Sequence, residues 1–280
     1  MDSGTLFVVA TPIGNREDLT PRARQILDDV DLVAAEDTRH TGRLLSHFGI
    51  KTRQIALHDH NEETVVPKLL MALSEGKSIA LVSDAGTPLI SDPGYRLVCA
   101  AHDAGAPVSP VPGASAVTAA LSVAGLPTDK FCFEGFLTNK KTARVNRLRE
   151  LRDESRSIVF FESVHRFKAT IGDLCDVFGV ERHAFVGREL SKMHEQCVAA
   201  TLGEIRGMID DGQIPNKGEY VLVVRGNRDV DIETLTISID QLIAEVSAVL
   251  PTNQAADLVS SLSGRRRNEI YRLLLAQRED

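Results

Sequence analysis

The sequence predicts an α/β protein of two domains followed by a small helical tail. Three observations lead there. At 280 residues the chain is longer than most single domains. Short apolar runs end repeatedly in turns rich in Gly, Pro, Thr and Ser and then pass into helical stripes, which is the strand–loop–helix order of an α/β fold. From Asn227 to Ile237 the composition turns polar and charged, as in a linker, and beyond it only helical periodicity remains. The expected divisions are 1–124, 125–227 and 228–280.

Composition narrows the function class. With 43% hydrophobic and 25% charged residues this is an ordinary globular chain, and without Trp its cores must be built from Leu, Val, Ile and Ala. No apolar run is long enough to span a bilayer. Met1-Asp2-Ser3-Gly4 leads straight into a strand with no signal-peptide pattern, so a cytoplasmic protein is expected. Cys99, Cys132, Cys175 and Cys197 are too scattered for a zinc site or a disulfide framework. A formal net charge of −7 leaves nucleic-acid contact to local basic patches.

In chain order, Leu6 to Ala10 reads as a strand running into Thr11-Pro12-Ile13-Gly14-Asn15, with a helix capped by Thr20 and begun by Pro21. Pro12 stands where a G-x-G-x-x-G loop needs glycine, which argues against a dinucleotide site. Asp31 to Ala35 is a second strand, ending in Glu36-Asp37-Thr38-Arg39-His40-Thr41-Gly42-Arg43; Asp37 or Thr38 would cap the helix that closes at Gly49. Gln54 to Leu57 precedes His58-Asp59-His60-Asn61-Glu62, where Asn61 is a plausible cap. The two histidines alternate on one side, but no third ligand is spaced to complete a metal site.

The stretch from Ile79 to Gly94 is the organising one. A four-residue apolar run reads as a buried strand, and Ser83-Asp84-Ala85-Gly86-Thr87-Pro88 follows as turn chemistry, with a helix from about Pro93. Ligands of open α/β sheets sit outside the carboxyl ends of the strands, so this turn belongs in the crevice. Gly86 permits close backbone approach and Asp84 can accept hydrogen bonds. Pro107 to Val111 then leads into Pro112-Gly113-Ala114-Ser115-Ala116, a small-residue helix start suited to a ligand or to tight packing.

The second half restarts at Phe131 to Phe136. A basic segment follows, with Lys140, Lys141, Arg144, Arg147, Arg149, Arg152 and Arg156, suited to phosphates or to a solvated helix face. Strands are expected at Ser157 to Phe161 and Arg182 to Gly187. Gln196 to Leu202 and Tyr220 to Val224 read as neighbouring strands, antiparallel to part of the sheet. In the tail, two helices joined at Gly264, with Arg265-Arg266-Arg267 after it, are helix-turn-helix-like.

The ordered set Thr11–Asn15, Ala35–Gly42, Leu57–Glu62 and Val82–Pro88, continued by Pro112-Gly113, Phe133–Phe136, Phe161-Glu162-Ser163 and Lys217-Gly218-Glu219, resembles the tetrapyrrole-methylase superfamily. Within it the match is to the ribosomal RNA small-subunit methyltransferases that modify a cytidine 2′-hydroxyl of 16S rRNA. It covers roughly residues 5 to 226.

The resemblance implies a class III methyltransferase fold with mixed sheets, S-adenosylmethionine in the cleft between two α/β domains, and a homodimer acting on 16S rRNA of the small subunit. Carried over by position, Pro12, Ile13, Asp84, Gly86, Thr87, Ser115, Ala116, Phe161 and Gly218 would line the cofactor. Transfer of a sulfonium methyl to a hydroxyl needs alignment and a proton acceptor. Asp37 and Glu36 are the leading candidates for the acceptor, with Glu134, Glu162 and His60 behind them. Arg39, His40, Arg43, His60, Lys140, Lys141 and Arg144 are the expected RNA-binding residues. No metal is required.

Three rival readings remain at this point. One is a small-molecule, tetrapyrrole-type methyltransferase on the same fold. Another is a noncatalytic RNA-binding protein that senses the cofactor. The third, a phosphate-handling nucleotide enzyme, lacks a Walker-type loop.

Overall fold

A computed structural model describes residues 4–227 and 238–276; of the expected linker, 228–237 lie outside the described residues. The first sheet is formed by β1 (Leu6–Val9), β2 (Leu32–Ala35), β3 (Gln54–Ala56), β4 (Ile79–Val82) and β5 (Val108–Val111). Its order is β3-β2-β4-β1-β5 and every pair is parallel. Helices cover both faces. α1 (Pro21–Asp29) and α2 (Thr38–His47) bury Leu27 and Leu45 against Val33, Ala35, Ala80 and Val82. α3 (Glu62–Ser74) and α4 (Tyr95–Asp103) bury Leu69, Leu73 and Leu97 against Leu6, Ala34, Ile79 and Leu81. Successive β4 residues therefore feed opposite cores, which is why the strand is apolar throughout.

Local signals set the element ends. Thr20 caps α1 by accepting from Ala23 N at 3.1 Å, with Pro21 at the first helical position. Asp37 caps α2, accepting from Arg39 N at 2.8 Å, and Gly49 closes that helix region at φ +75°. Asn61 holds the cap position of α3, but its side chain serves the preceding turn instead. Its Oδ1 accepts from His58 N at 2.9 Å and its Nδ2 donates to Ala56 O at 3.0 Å. α4 starts at Tyr95, two residues beyond Pro93, after Gly94 at φ +117°.

The second sheet contains β6 (Phe131–Phe136), β7 (Ser157–Glu162), β8 (His183–Arg188), β9 (Gln196–Thr201) and β10 (Tyr220–Val224), in the order β6-β7-β10-β8-β9. β6 and β7 are parallel, and the remaining pairs are antiparallel. The expected neighbours β9 and β10 are thus separated by β8. All five residues of β10 are buried, so it occupies the centre, whereas β9 has exposed positions at Cys197 and Ala199 and forms an edge.

One face of this sheet packs on α6 (Lys141–Glu150), α7 (Phe167–Phe178) and α8 (Leu202–Asp210). The other face takes α5 (Ala116–Val123), whose Val117, Ala120 and Leu121 meet Val159, Phe185, Val221 and Val223. α5 precedes the expected boundary at 124/125 yet packs on the second sheet, and residues up to Asn227 form one compact unit.

The tail is a second unit of three helices, α9 (Ile239–Val249), α10 (Thr252–Ser263) and α11 (Arg267–Ala276). Its core comprises Ile243, Ala255, Ala256, Val259, Ile270 and Leu274. Gly264 turns the chain between the last two helices at φ +69°. Among the described residues no helix is long and apolar enough to cross a membrane.

Candidate active site

The site is built outward from the carboxyl ends of the parallel strands. Beyond β1 and β4 the backbones of Thr11 and Gly86 exchange hydrogen bonds, Thr11 N to Gly86 O at 2.8 Å and Gly86 N to Thr11 O at 3.0 Å. Gly86 adopts φ +80°, and a Cβ there would stand 3.3 Å from Ile13 Cγ2. The Thr87 hydroxyl donates to Ala114 O at 3.1 Å and so joins the β4 turn to the loop after β5. Between β2 and β4 the bonds are reciprocal. Asp37 N donates to Asp84 Oδ1 at 3.1 Å and Asp84 N donates to Glu36 Oε2 at 3.2 Å. Ser115 stands at the cap of α5 without a side-chain cap bond.

The second sheet supplies the opposite wall. Phe161, near the end of β7, meets Phe133 and Phe136 edge to face at 4.9 and 5.5 Å between ring centres. The loop after β8 carries Glu189 and Ser191 with φ of +51° and +67°. The Ser191 hydroxyl accepts from Asn15 N at 3.1 Å and donates to the Asp18 carboxylate, which clasps this loop to the first one. Gly14 is required there, because a Cβ would fall 2.5 Å from Lys192 Cγ. Lys192 Nζ bridges Glu189 at 3.0 Å and Glu219 at 2.8 Å.

Together these loops enclose a cavity of about 430 Å³. Five carboxylates line it (Glu36, Asp84, Asp92, Glu162 and Glu219) against one ammonium, Lys192, and Ile13, Phe161, Leu190 and Val221 add apolar surface. Burial pushes the Asp92 carboxyl up to about 6; the nearby Glu36 and Asp84 charges add to the rise and a Ser83 hydrogen bond opposes it. Burial also raises Glu36, against the opposing hydrogen bond from Asp84. Asp37 goes the other way, because the Arg39 side chain donates to its carboxylate and holds it well below the usual range.

Of the residues expected at a cofactor, all but Pro12 line this cavity, and Glu36 and Glu162 line it with them. The remaining expected residues lie elsewhere. Asp37 is tied to Arg39 at 2.8 Å, a pairing that stabilises its ionised form and disfavours proton uptake. Glu134 lies off the cavity lining, its carboxylate held by the Arg147 guanidinium at 2.8 to 3.0 Å. Arg144 does not reach solvent as an RNA contact should. It is buried and paired with Asp173 at 2.6 and 2.7 Å.

Arg39, His40, Arg43, His60, Lys140 and Lys141 are exposed. His60 stacks edge-on near His58 at 6.1 Å. Among the described residues no group of three or more His, Cys, Asp and Glu is placed to hold a metal ion. Asp92, Leu190, Lys192 and Glu219 line the cavity as well, outside the residues expected at a site from sequence. Asp92 had a signal, since it stands in the same loop as Asp84, within Ser91-Asp92-Pro93-Gly94.

The pattern of the Tetrapyrrole (Corrin/Porphyrin) Methylases matches residues 5–206. This chain belongs to the tetrapyrrole methylase family. As a tetrapyrrole methylase family member it is a methyltransferase, and its tail, residues 233–278, matches the RsmI C-terminal HTH domain. The chain is 48% identical to the Ribosomal RNA small subunit methyltransferase I of Xylella fastidiosa, over 96% of this chain and 98% of that one. Identity is 46% to the protein of that name from Escherichia coli O157:H7, over 98% and 96% of the two chains. It is 45% to the one from Synechocystis, over 99% of each.

Solved structures share the fold of this tetrapyrrole methylase. The methyltransferase CobJ superposes with a TM-score of 0.60 at 19% identity, covering 80% of this chain and 95% of that one. A uroporphyrin-III-C-methyltransferase from Thermus thermophilus gives 0.56 at 21%, covering 79% and 94%.

Proposed function

We propose that this methyltransferase uses S-adenosylmethionine to methylate the 2′-hydroxyl of a cytidine in 16S rRNA of the small ribosomal subunit, as a cytoplasmic homodimer. The observation that carries the reading is the cavity walled by both sheets, with carboxylates and apolar side chains on each wall. The rRNA substrate is supported by relatives named Ribosomal RNA small subunit methyltransferase I, which match at 43–48% identity along nearly the whole chain.

The residues present suit the cofactor. Five carboxylates to one ammonium favour a ligand bearing a sulfonium and an amino group, and Ile13, Phe161, Leu190 and Val221 offer apolar surface to a purine. Asp84, Thr87, Ser115, Ala116, Phe161 and Gly218 would hold it, with Ile13 and Gly86 shaping the floor. When bound, S-adenosylmethionine supplies an activated methyl group whose loss leaves a neutral thioether.

The chain's own residues have separable tasks. Glu36 and Asp84 place carboxylates at the mouth of β2. Asp37 fixes Arg39 on the first turn of α2, where Arg39, His40 and Arg43 are exposed and able to grip phosphates. Lys140 and Lys141 offer a second basic point at the start of α6. Holding both reactants in register is worth about 7–11 kcal/mol of barrier in well-aligned systems.

The test is transfer of labelled methyl from S-adenosylmethionine to small subunits lacking the modification, with the product nucleoside identified by mass spectrometry. A 2′-O-methylcytidine is expected. Label on tetrapyrrole substrates and none on subunits would overturn the substrate assignment.

A further inference from the structure

We infer that Asp92 accepts the proton of the attacking substrate hydroxyl. The inference deepens the reading of the cavity as a methyl-transfer site and rests on it.

The other acids near the cavity are already engaged. Arg39 holds Asp37, and Arg147 holds Glu134. Glu162 is bound by Arg166 at 2.8 Å, the Thr170 hydroxyl at 2.5 Å and Ser163 N at 2.7 Å. Glu219 is paired with Lys192, and Asp84 accepts from Asp37 N. Glu36 spends Oε2 on Asp84 N. Asp92 lines the same cavity near the neutral Ser83 hydroxyl, and no cation pairs with it among the described residues.

The loop holds Asp92 firmly. Leu89 and Ser91 just before it adopt φ of +71° and +70°, conformations that L residues keep only when their surroundings demand them. Ser91 packs onto β6, where Gly135 leaves the room; a Cβ there would come within 2.9 Å of Ser91 Oγ. On the other side Gly94 N donates at 2.9 Å to the buried carboxylate of Glu62. Asp92 is thus anchored between two fixed points, half-buried in the cavity lining.

The charged and titratable groups around it are Glu36 and Asp84 on its own wall and Glu162, Lys192, Glu219 and Tyr220 across the cavity. Burial above all, with the Glu36 and Asp84 carboxylates adding to it, lifts Asp92 to about 6, toward the range where a general base is most effective.

The step balances. The substrate O–H bond breaks and its proton forms a new O–H bond on the Asp92 carboxylate. The freed oxygen pair makes the O–CH₃ bond, and the electrons of the donor's C–S bond stay on sulfur. Asp92 afterwards returns the proton to water.

Asp92→Asn keeps size and hydrogen bonding but cannot take the proton. It is expected to lower kcat, read at saturating S-adenosylmethionine, about 10²–10⁴-fold, a loss that weaker cofactor binding cannot produce, with calorimetry reading the accompanying change in dissociation constant. Asp92→Glu should recover part of kcat. In the free protein with ¹³Cγ-labelled aspartate, one carboxyl resonance should titrate near 6 and vanish in Asp92→Asn.

An Asp92→Asn protein that keeps the parent's kcat, or a spectrum in which no aspartate titrates near 6, would overturn the assignment. A parent protein that methylates no subunit would instead refute the underlying reading, and the assignment with it.

Discussion

The Asp84 carboxylate accepts the backbone N–H of Asp37 at 3.1 Å while the Asp84 N–H is held by Glu36. Two strand ends that are 47 residues apart in the chain are locked together at the crevice by one aspartate. Asp84→Ala removes the acceptor and leaves the Asp37 N–H without its partner. Calorimetric titration should find S-adenosylmethionine binding at least about tenfold weaker, equivalent to about 1.4 kcal/mol.

Arg144 and Asp173 form a buried ion pair, with Lys141 3.8 Å from the same carboxylate. Truncating one partner strands a buried charge, so Arg144→Ala should destabilise the chain by about 3–5 kcal/mol in urea unfolding. At temperatures where the variant is folded, its affinity for small subunits should equal the parent's. Lys140→Ala with Lys141→Ala should do the reverse, weakening subunit binding and making it less sensitive to salt while leaving stability nearly unchanged.

Gly86 combines φ +80° with a tight approach to Ile13. Gly86→Ala forces an L residue into the left-handed region at a cost of about 1–2 kcal/mol, and it presses on the loop that closes the cavity floor. Thermal melting should drop by several degrees, and cofactor affinity should fall more than the stability loss alone explains.

The pH dependence of stability carries a definite sign. The folded-state pKa of Asp92 is raised, so its contribution is fully present below the unfolded value and is lost as pH rises through about 6. Glu36 is raised as well and acts in the same direction. Asp92→Asn should therefore be the more stable protein at about pH 8, by about 1 kcal/mol once solvent screening is allowed for, with the advantage shrinking toward about pH 5. Urea midpoints of both proteins across that range read the difference directly.

Much of this architecture is legible in the residues themselves. Ile79 to Val82 announces a strand buried on both faces, and Thr20-Pro21 and Asp37 mark helix starts, because short-range packing and capping leave local traces. Long-range pairing leaves fewer. β9 and β10 look adjacent in the chain, yet full burial sends Tyr220–Val224 between β7 and β8. Arg144 reads as one more cation in a basic run because its partner Asp173 lies 29 residues away. Asp37 reads as a base from its residue type and place, and its pairing with Arg39, two residues on, shows only in the folded helix start. Asp92 carries no pattern of its own beyond its place in the Asp84 loop, and only the folded loop brings it to the cavity.

The central claim is that the space between the two sheets receives the methyl donor. A crystal structure of the chain soaked with S-adenosylmethionine tests it most directly. The account predicts density against the Asp84–Thr87 turn, Ser115 and Phe161, with the methyl carbon facing Asp92 and Glu36. Density at any other surface, or a cavity left empty at saturating cofactor, would contradict it.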